Sequence, residues 1–233
     1  MTAARLSNFT YTVKRTNRVK TATIQIISGK VVVSVPLRLS DSKVDELIAS
    51  RSEWIEKKVS DQSSNLPRAA TEFVSGQGLM YLGRNYRLKV YRSGVGSTGL
   101  RNGRIEVWDP DRTNLSQDTI KGMVEIWYQS RAEEKFKERV RHYERVVGSH
   151  ATSIVVRDMR TKWGTCTASG RVTLNWRLII APIRIIDYVI VHELCHLLYH
   201  DHSRKFWSAV MRVMPDYEKR KLWLKTNGHL LNL

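Results

Sequence analysis

The 233-residue chain is poor in cysteine, with only Cys166 and Cys195, and poor in proline, with five. Two cysteines cannot supply the disulfide framework of a small secreted domain. Both are therefore read as reduced thiols, and the expected location is cytoplasmic. No uninterrupted apolar run reaches the roughly 18 residues that a membrane span needs. The most apolar stretch, 178–191, is broken by Arg184 and Asp187. The opening MTAARLSNFTYTVKR has no continuous apolar segment, which argues against a secretory leader. No glycine-rich phosphate loop, paired zinc-finger spacing or RNA-binding aromatic motif is present. No internal repeat and no low-complexity tract is apparent.

Acidic residues are scarce as well. Lys+Arg number 39 against 22 Asp+Glu, a formal net charge of +17. The excess is spread along the chain rather than gathered in a tail. It predicts attraction to anionic partners, nucleic acid or nucleotide among them, and salt-sensitive binding. It does not by itself mark a dedicated nucleic-acid site. A hydrophobic fraction of 42% is ample for a folded core.

Local patterns divide the chain into a region 1–70 and a region 71–233. In the first, TATIQIIS and VVVSVP flank Gly29-Lys30 and predict a β-hairpin. A helical pattern follows, LSDSKVDELIASRSEWIEKKVSD, with Val44, Leu47, Ile48, Ile55 and Val59 near one stripe and Ser40 or Ser42 as cap. QSSNLPRAAT (62–71) is a linker by composition. Short glycine-punctuated strands are expected in 72–94 and 103–110. A long helix is expected over 116–148, where Ile120, Val124, Trp127 and Tyr128 recur at helical steps. Strands are expected at 152–159 and 171–180. Pro182 then suits the first turn of a further helix.

That last helix carries the chemistry. His192-Glu193-Leu194-Cys195-His196 is an H-E-x-x-H pentapeptide. Residues four apart share a helix face, about 6 Å apart along the axis, so two imidazoles can converge on one zinc ion. Glu193, beside the first ligand, can reach a metal-bound water as general base without ligating. Random order yields such a pentapeptide in roughly one chain in a hundred, so the bare match is modest. The preceding IIDYVIV strengthens it, because unsatisfied His and Glu in so apolar a helix would cost several kcal/mol.

The third ligand has three candidates. His200 continues the i, i+4 series, but on a straight helix it would lie about 12 Å from His192 and could not surround the same ion. It is read as a surface or supporting group. His202 is preferred. It requires a chain turn near Tyr199 and a new helix capped by Ser203. Glu218 is the rival. No glycine is available at the turn, so an unusual backbone is expected near 200–201.

Five blocks in order, RTKWGTC (160–166), LNWRLIIAP (174–182), DYVIVHELCHL (187–197), HSRKFW (202–207) and PDYEKRKLWL (215–224), resemble the YgjP-like zinc metallopeptidases, relatives of the zincins and SprT-type proteases. The resemblance implies an α+β fold, with a zincin-like catalytic domain whose central HExxH helix lies against a β-sheet, preceded here by the hairpin-and-helix region. It also implies His202 as the third zinc ligand and peptide or protein substrates. By the same likeness, 171–180 is the edge strand along which an extended peptide pairs. Cys166 is expected near the site, and Cys195 is expected to face away from the metal. The cationic run of Arg157, Arg160 and Lys162, and Asn175 within the second block, are candidate substrate or oxyanion contacts. Trp163, Trp176, Trp207 and Trp223 are read as core packing rather than cleft lining. The expected activity is zinc-dependent peptide hydrolysis. The alternatives are a nucleotide pyrophosphatase of the UTP type using the same activated water, and a DNA-associated SprT-like protease.

Overall fold

A computed structural model describes residues 3–5, 9–17, 21–27, 30–63, 72–92, 95–109 and 116–233. The chain divides into two compact units, Met1–Ala70 and Thr71–Leu233.

In the first unit, β1 (Ala3–Arg5), β2 (Thr10–Thr16), β3 (Thr23–Ile27) and β4 (Lys30–Pro36) form one sheet in the order β1-β2-β4-β3. β2 and β4 run parallel, and the outer pairs are antiparallel. Val31, Val33 and Val35 are buried at alternate positions, as a one-sided sheet requires. They pack on Val44 and Ile48 of α1 (Asp41–Ala49) and Ile55 of α2 (Ser52–Ser63). The expected hairpin is present as β3–β4, within a larger sheet. Its turn lies outside the described residues, as do 64–71 of the linker expected at 62–71, whose first two residues instead end α2. The charged TYTVKRT stretch conceals β2, whose buried side chain is Tyr11.

The single helix expected after the hairpin is two helices. The hydroxyls of Ser50 and Ser52 donate to the carbonyls of Leu47 and Ala49 at 2.9 and 3.0 Å, competing with the helical ladder at the break. Ser40 occupies the cap position of α1 without a side-chain cap bond.

The second unit opens with β5 (Gly78–Tyr81), β6 (Arg84–Tyr91), β7 (Ser97–Arg101) and β8 (Arg104–Trp108), ordered β5-β6-β8-β7 with β6 and β8 parallel. This is the scheme of the first unit, strand for strand. The sequences run in step: GKVVVSVP (29–36) matches GRIEVWDP (103–110), and LSDSKVDELI (39–48) matches LSQDTIKGMV (115–124). Val31 and Ile105, Val33 and Val107, Val44 and Ile120, Ile48 and Val124 are buried at equivalent places. The chain therefore contains a repeat after all. It escapes a scan by identity because it resides in spaced apolar positions rather than in conserved letters.

α3 (Gln117–Val147) follows, capped by Ser116, whose Oγ accepts from the Thr119 amide at 3.1 Å, and ended by left-handed Gly148. Its buried stripe is Ile120, Val124, Tyr128, Ala132, Phe136 and Val140 at four-residue steps. A second sheet of this unit contains β9 (Ser153–Arg157), β10 (Gly164–Cys166) and β11 (Arg171–Asn175), ordered β10-β11-β9. β11 is thus the centre of the sheet, not the edge expected for it. It also ends five residues early. Asn175 Oδ1 accepts from the Arg177 amide at 3.1 Å and starts a 3-10 turn, Trp176–Ile180. β7 and β10 are absent from the sequence reading because STGLR and GTC are too short and polar to signal strands.

α4 (Ile183–Cys195) begins directly after Pro182. Its buried Asp187 takes a two-pronged ion pair from Arg139 of α3, with Nε to Oδ1 at 2.7 Å and Nη2 to Oδ2 at 2.8 Å. α5 (Arg204–Val213), α6 (Tyr217–Asn227) and a 3-10 turn, Gly228–Leu230, complete the unit. Among the described residues, no helix is long and apolar enough to cross a membrane.

Candidate metal centre

α4 is nearly all apolar from Ile185 to Val191 because it is buried between α3 and the rest of the unit. The helix stops at Cys195, so His196 sits on its last turn. The stop is a tightening of the ladder. The amides of His196, Leu197 and Leu198 donate to the carbonyls of Glu193, Leu194 and Cys195, three residues back. Asp201 Oδ1 then accepts from the Ser203 amide at 3.3 Å, and α5 starts at Arg204. No described residue from 196 to 203 has positive φ. The unusual backbone expected near 200–201 is thus not needed, because successive three-residue bonds and an aspartate turn reverse the chain without glycine. Ser203 holds the cap position of α5, but its side chain makes no cap bond.

This turn returns His202 to the face that carries His192 and His196. One ligand atom from each of the three rings lies within 4.8 Å of the others. His192 Nε2 and His202 Nε2 are 3.1 Å apart. Two nitrogens on a tetrahedral zinc at about 2.0–2.1 Å would be separated by about 3.3 Å. The donor set is thus sized for one small divalent ion, and imidazole nitrogen suits zinc. His196 Nδ1 lies 3.1 Å from the Tyr199 carbonyl, which accepts its proton. That bond leaves Nε2 free and sets the ring's orientation, so the turn that ends α4 also aims a candidate ligand. Burial, reinforced by the two neighbouring imidazoles and Lys221, pushes the His192 pKa down to about 3. The ring is neutral at physiological pH, as a metal ligand must be.

The HSRKFW block supports these rings. Phe206 is fully buried, with its ring centroid 5.0, 4.5 and 4.9 Å from those of His192, His196 and His202. Trp207 stacks on His202 at 5.6 Å and on Tyr217 at 5.2 Å, and Lys221 Nζ lies 4.2 Å above the Trp207 ring. Trp207 is therefore part of the site. Trp176 is core, as expected, and Trp223 is half-buried against it. Trp163 packs on the core and also lines a cleft.

Glu193 is 5% exposed and opens into the same cavity as the three histidines, a space of about 500 Å³ also lined by Lys162, Gly164, Thr165 and Cys166. Burial pushes its pKa up to about 7, with the Lys162 charge pulling the other way. β10 runs immediately beside it. A β-carbon on Gly164 would lie 2.6 Å from Glu193 Oε1. Only glycine lets this strand approach so closely.

The remaining candidates fall differently. Glu218 is exposed and accepts from the Tyr217 hydroxyl at 3.3 Å, and it is not among the clustered donors. His200 lines the cavity rim without joining the triad. Cys195 is fully buried, while Cys166 lines the cavity. Burial, together with the Glu193 charge, pushes the Cys166 thiol up to about 11. Arg157 is exposed on β9, and Arg160 and Lys162 line an adjoining cleft. Asn175 is only 2% exposed. Its Nδ2 donates to the Met159 and Lys162 carbonyls at 2.8 and 3.2 Å, so its amide is spent on shaping the 158–163 loop. The sequence reading missed β10, Gly164 and the Arg139–Asp187 clamp. Gly164 had one signal, its place inside the RTKWGTC block.

Comparison with known proteins supplies the family. The model of the YgjP-like metallopeptidase domain matches residues 20–227. The chain belongs to the YgjP-like metallopeptidase family. The match spans both units and includes the triad, Glu193 and β10. No curated protein sequence matches. Among solved structures, the metallopeptidase zymogen abylysin of Pyrococcus abyssi is similar, with 20% identity and a TM-score of 0.36 over 39% of this chain and 93% of that one. That partial likeness adds nothing to the family assignment.

Proposed function

We infer that the chain is a zinc-dependent peptidase in which His192, His196 and His202 hold the ion and Glu193 is the general base, on a zincin-like arrangement of helix and sheet. The observation that carries this reading is the convergence of three imidazoles and one buried carboxylate on a single cavity. When bound, zinc supplies Lewis acidity, lowering the pKa of water toward about 7.

The chain's own groups account for the rest. Glu193 takes a proton from the attacking water and returns it to the leaving amine. A carboxyl pKa near 7 suits both transfers at neutral pH. The free side of β10 offers backbone groups to an extended peptide, replacing 171–180 in that role, since β11 is flanked on both sides. The Gly164 approach brings such a peptide within reach of Glu193. Lys162 places a positive charge at the cavity wall, where it can stabilise developing negative charge.

The test is hydrolysis by the purified, zinc-loaded chain of an unfolded protein such as casein and, separately, of nucleoside triphosphates. Casein cleavage that vanishes in Glu193→Gln is the expected result. Triphosphate hydrolysis with casein untouched, or full casein cleavage by the variant, would overturn this reading.

A further inference from the structure

A second cleft adjoins the metal cavity and shares Lys162 with it. It encloses about 590 Å³ between the 158–163 loop and the end of α6 with the turn that follows it. Its lining is cationic. Arg160 and Lys162 come from the loop, and Lys225 and His229 from the opposite wall. The one acid there, Asp158, is already held by Arg177 through two bonds of 3.0 and 2.9 Å. Arg160, Lys162 and Lys225 have no further carboxylate among the described residues lining the cleft.

The cleft is built rather than incidental. Asn175 bonds the carbonyls of Met159 and Lys162 and so fixes the loop that carries Arg160 and Lys162. Trp163 forms its floor against Gly228, where a β-carbon would come within 3.1 Å of the indole. That contact sets the end of α6, and with it Lys225 and His229, at a fixed separation from the loop.

We propose that this cleft is the specificity subsite of the enzyme, taking an acidic side chain or terminal carboxylate on the C-terminal side of the cleaved bond. The inference rests on the peptidase reading for its substrate, and on the cleft alone for its charge. Direction depends on the pairing, which is taken here as antiparallel, as β10 itself pairs with β11. A peptide added antiparallel to the free side of β10 runs from Cys166 toward Gly164, so the residues beyond the cleaved bond pass over 160–163. Arg160 and Lys162 precede Gly164 by four and two positions, so the carboxylate would sit roughly two to four residues beyond that bond. Cations at its walls would favour an acidic residue and oppose a basic one.

The test uses the full zinc-loaded chain and two readouts. One is competition between peptides that differ only in carrying Glu, Gln or Lys three residues beyond the cleavage point. The other is binding of a dye-labelled tetraglutamate to the Glu193→Gln protein, which needs no turnover. Replacing both Lys225 and His229 with Ala should lower the Glu:Gln preference and the tetraglutamate affinity about tenfold each. Lys225→Glu should move the preference toward the Lys peptide. Lys43→Ala with Lys57→Ala removes two positive charges from the first unit, at least as many as the test variant, and should change neither readout. Circular dichroism verifies folding of each variant. Equal preference and equal binding in wild type and the Lys225/His229 variant would overturn the proposal. Tetraglutamate binding that depends on Lys225, with no peptide cleaved by the wild type, would keep the anion subsite and sink the peptidase reading.

Discussion

Gly164 of β10 faces Glu193 of α4 so closely that a β-carbon there would lie 2.6, 2.7 and 2.8 Å from the Glu193 Oε1, Cγ and Cδ atoms, so a side chain at 164 fits only if the carboxylate shifts. The consequence is direct. Gly164→Ala should push the carboxylate out of line while leaving the three histidines in place. Turnover should fall by about a hundredfold, the cost of a misplacement near 1 Å, with metal content unchanged. Activity and zinc stoichiometry measured on one preparation check it, and a fully active Gly164→Ala would show that the close approach has no bearing on the base.

The triad yields a second expectation. His202→Ala should weaken zinc binding by more than about a hundredfold, beyond what loss of a supporting residue costs, whereas Glu218→Ala should retain the ion. Competition with a chromophoric chelator measures both. Zinc lost from the glutamate variant alone would reassign the third ligand.

Asp187 tests how α4 is held. Removing it leaves the Arg139 guanidinium, only 24% exposed, without its carboxylate. Asp187→Ala should cost about 2–4 kcal/mol of stability, whereas replacing both residues with hydrophobic ones of similar size should cost less. Denaturant unfolding of the single and double variants separates the two outcomes. A single variant as stable as wild type would mean that packing alone holds the helix.

The cavity thiol supplies a pH experiment. With its pKa raised from 9.0 to about 11, Cys166 stays protonated through the alkaline range where an ordinary thiol ionises. At pH 8.5 its thiolate fraction is roughly a hundredfold below that of the unfolded chain. Alkylation of the native protein should be slow and should keep accelerating above pH 9. A rate that levels off near pH 9 would show that burial and the Glu193 charge do not act on this thiol.

The legible parts of the chain were those whose signal is local and periodic. α3 was visible from Ser116 to Gly148 because both caps and a four-residue apolar stripe lie in one continuous segment. His192, Glu193 and His196 were visible because a helix alone relates positions four apart. Less was legible where pairing partners are distant. GTC does not read as a strand until Val172, Thr173 and Leu174 lie beside it, and 171–180 reads as one strand until the Asn175 side chain bends it into a 3-10 turn. The repeat between the two sheets was hidden for the same reason, since equivalent burial is a property of the folded pairing.

By itself the sequence determined the helix that presents two imidazoles and a carboxylate on one stretch, because backbone hydrogen bonding sets that spacing locally. Only the tertiary structure decided that His202 returns to complete the triad, that β10 rather than β11 borders Glu193, and that Arg160 and Lys162 meet Lys225 and His229 across one cleft. Each of those depends on a chain reversal or a packing contact between segments far apart in sequence, and such contacts arise from the balance of burial over the whole core.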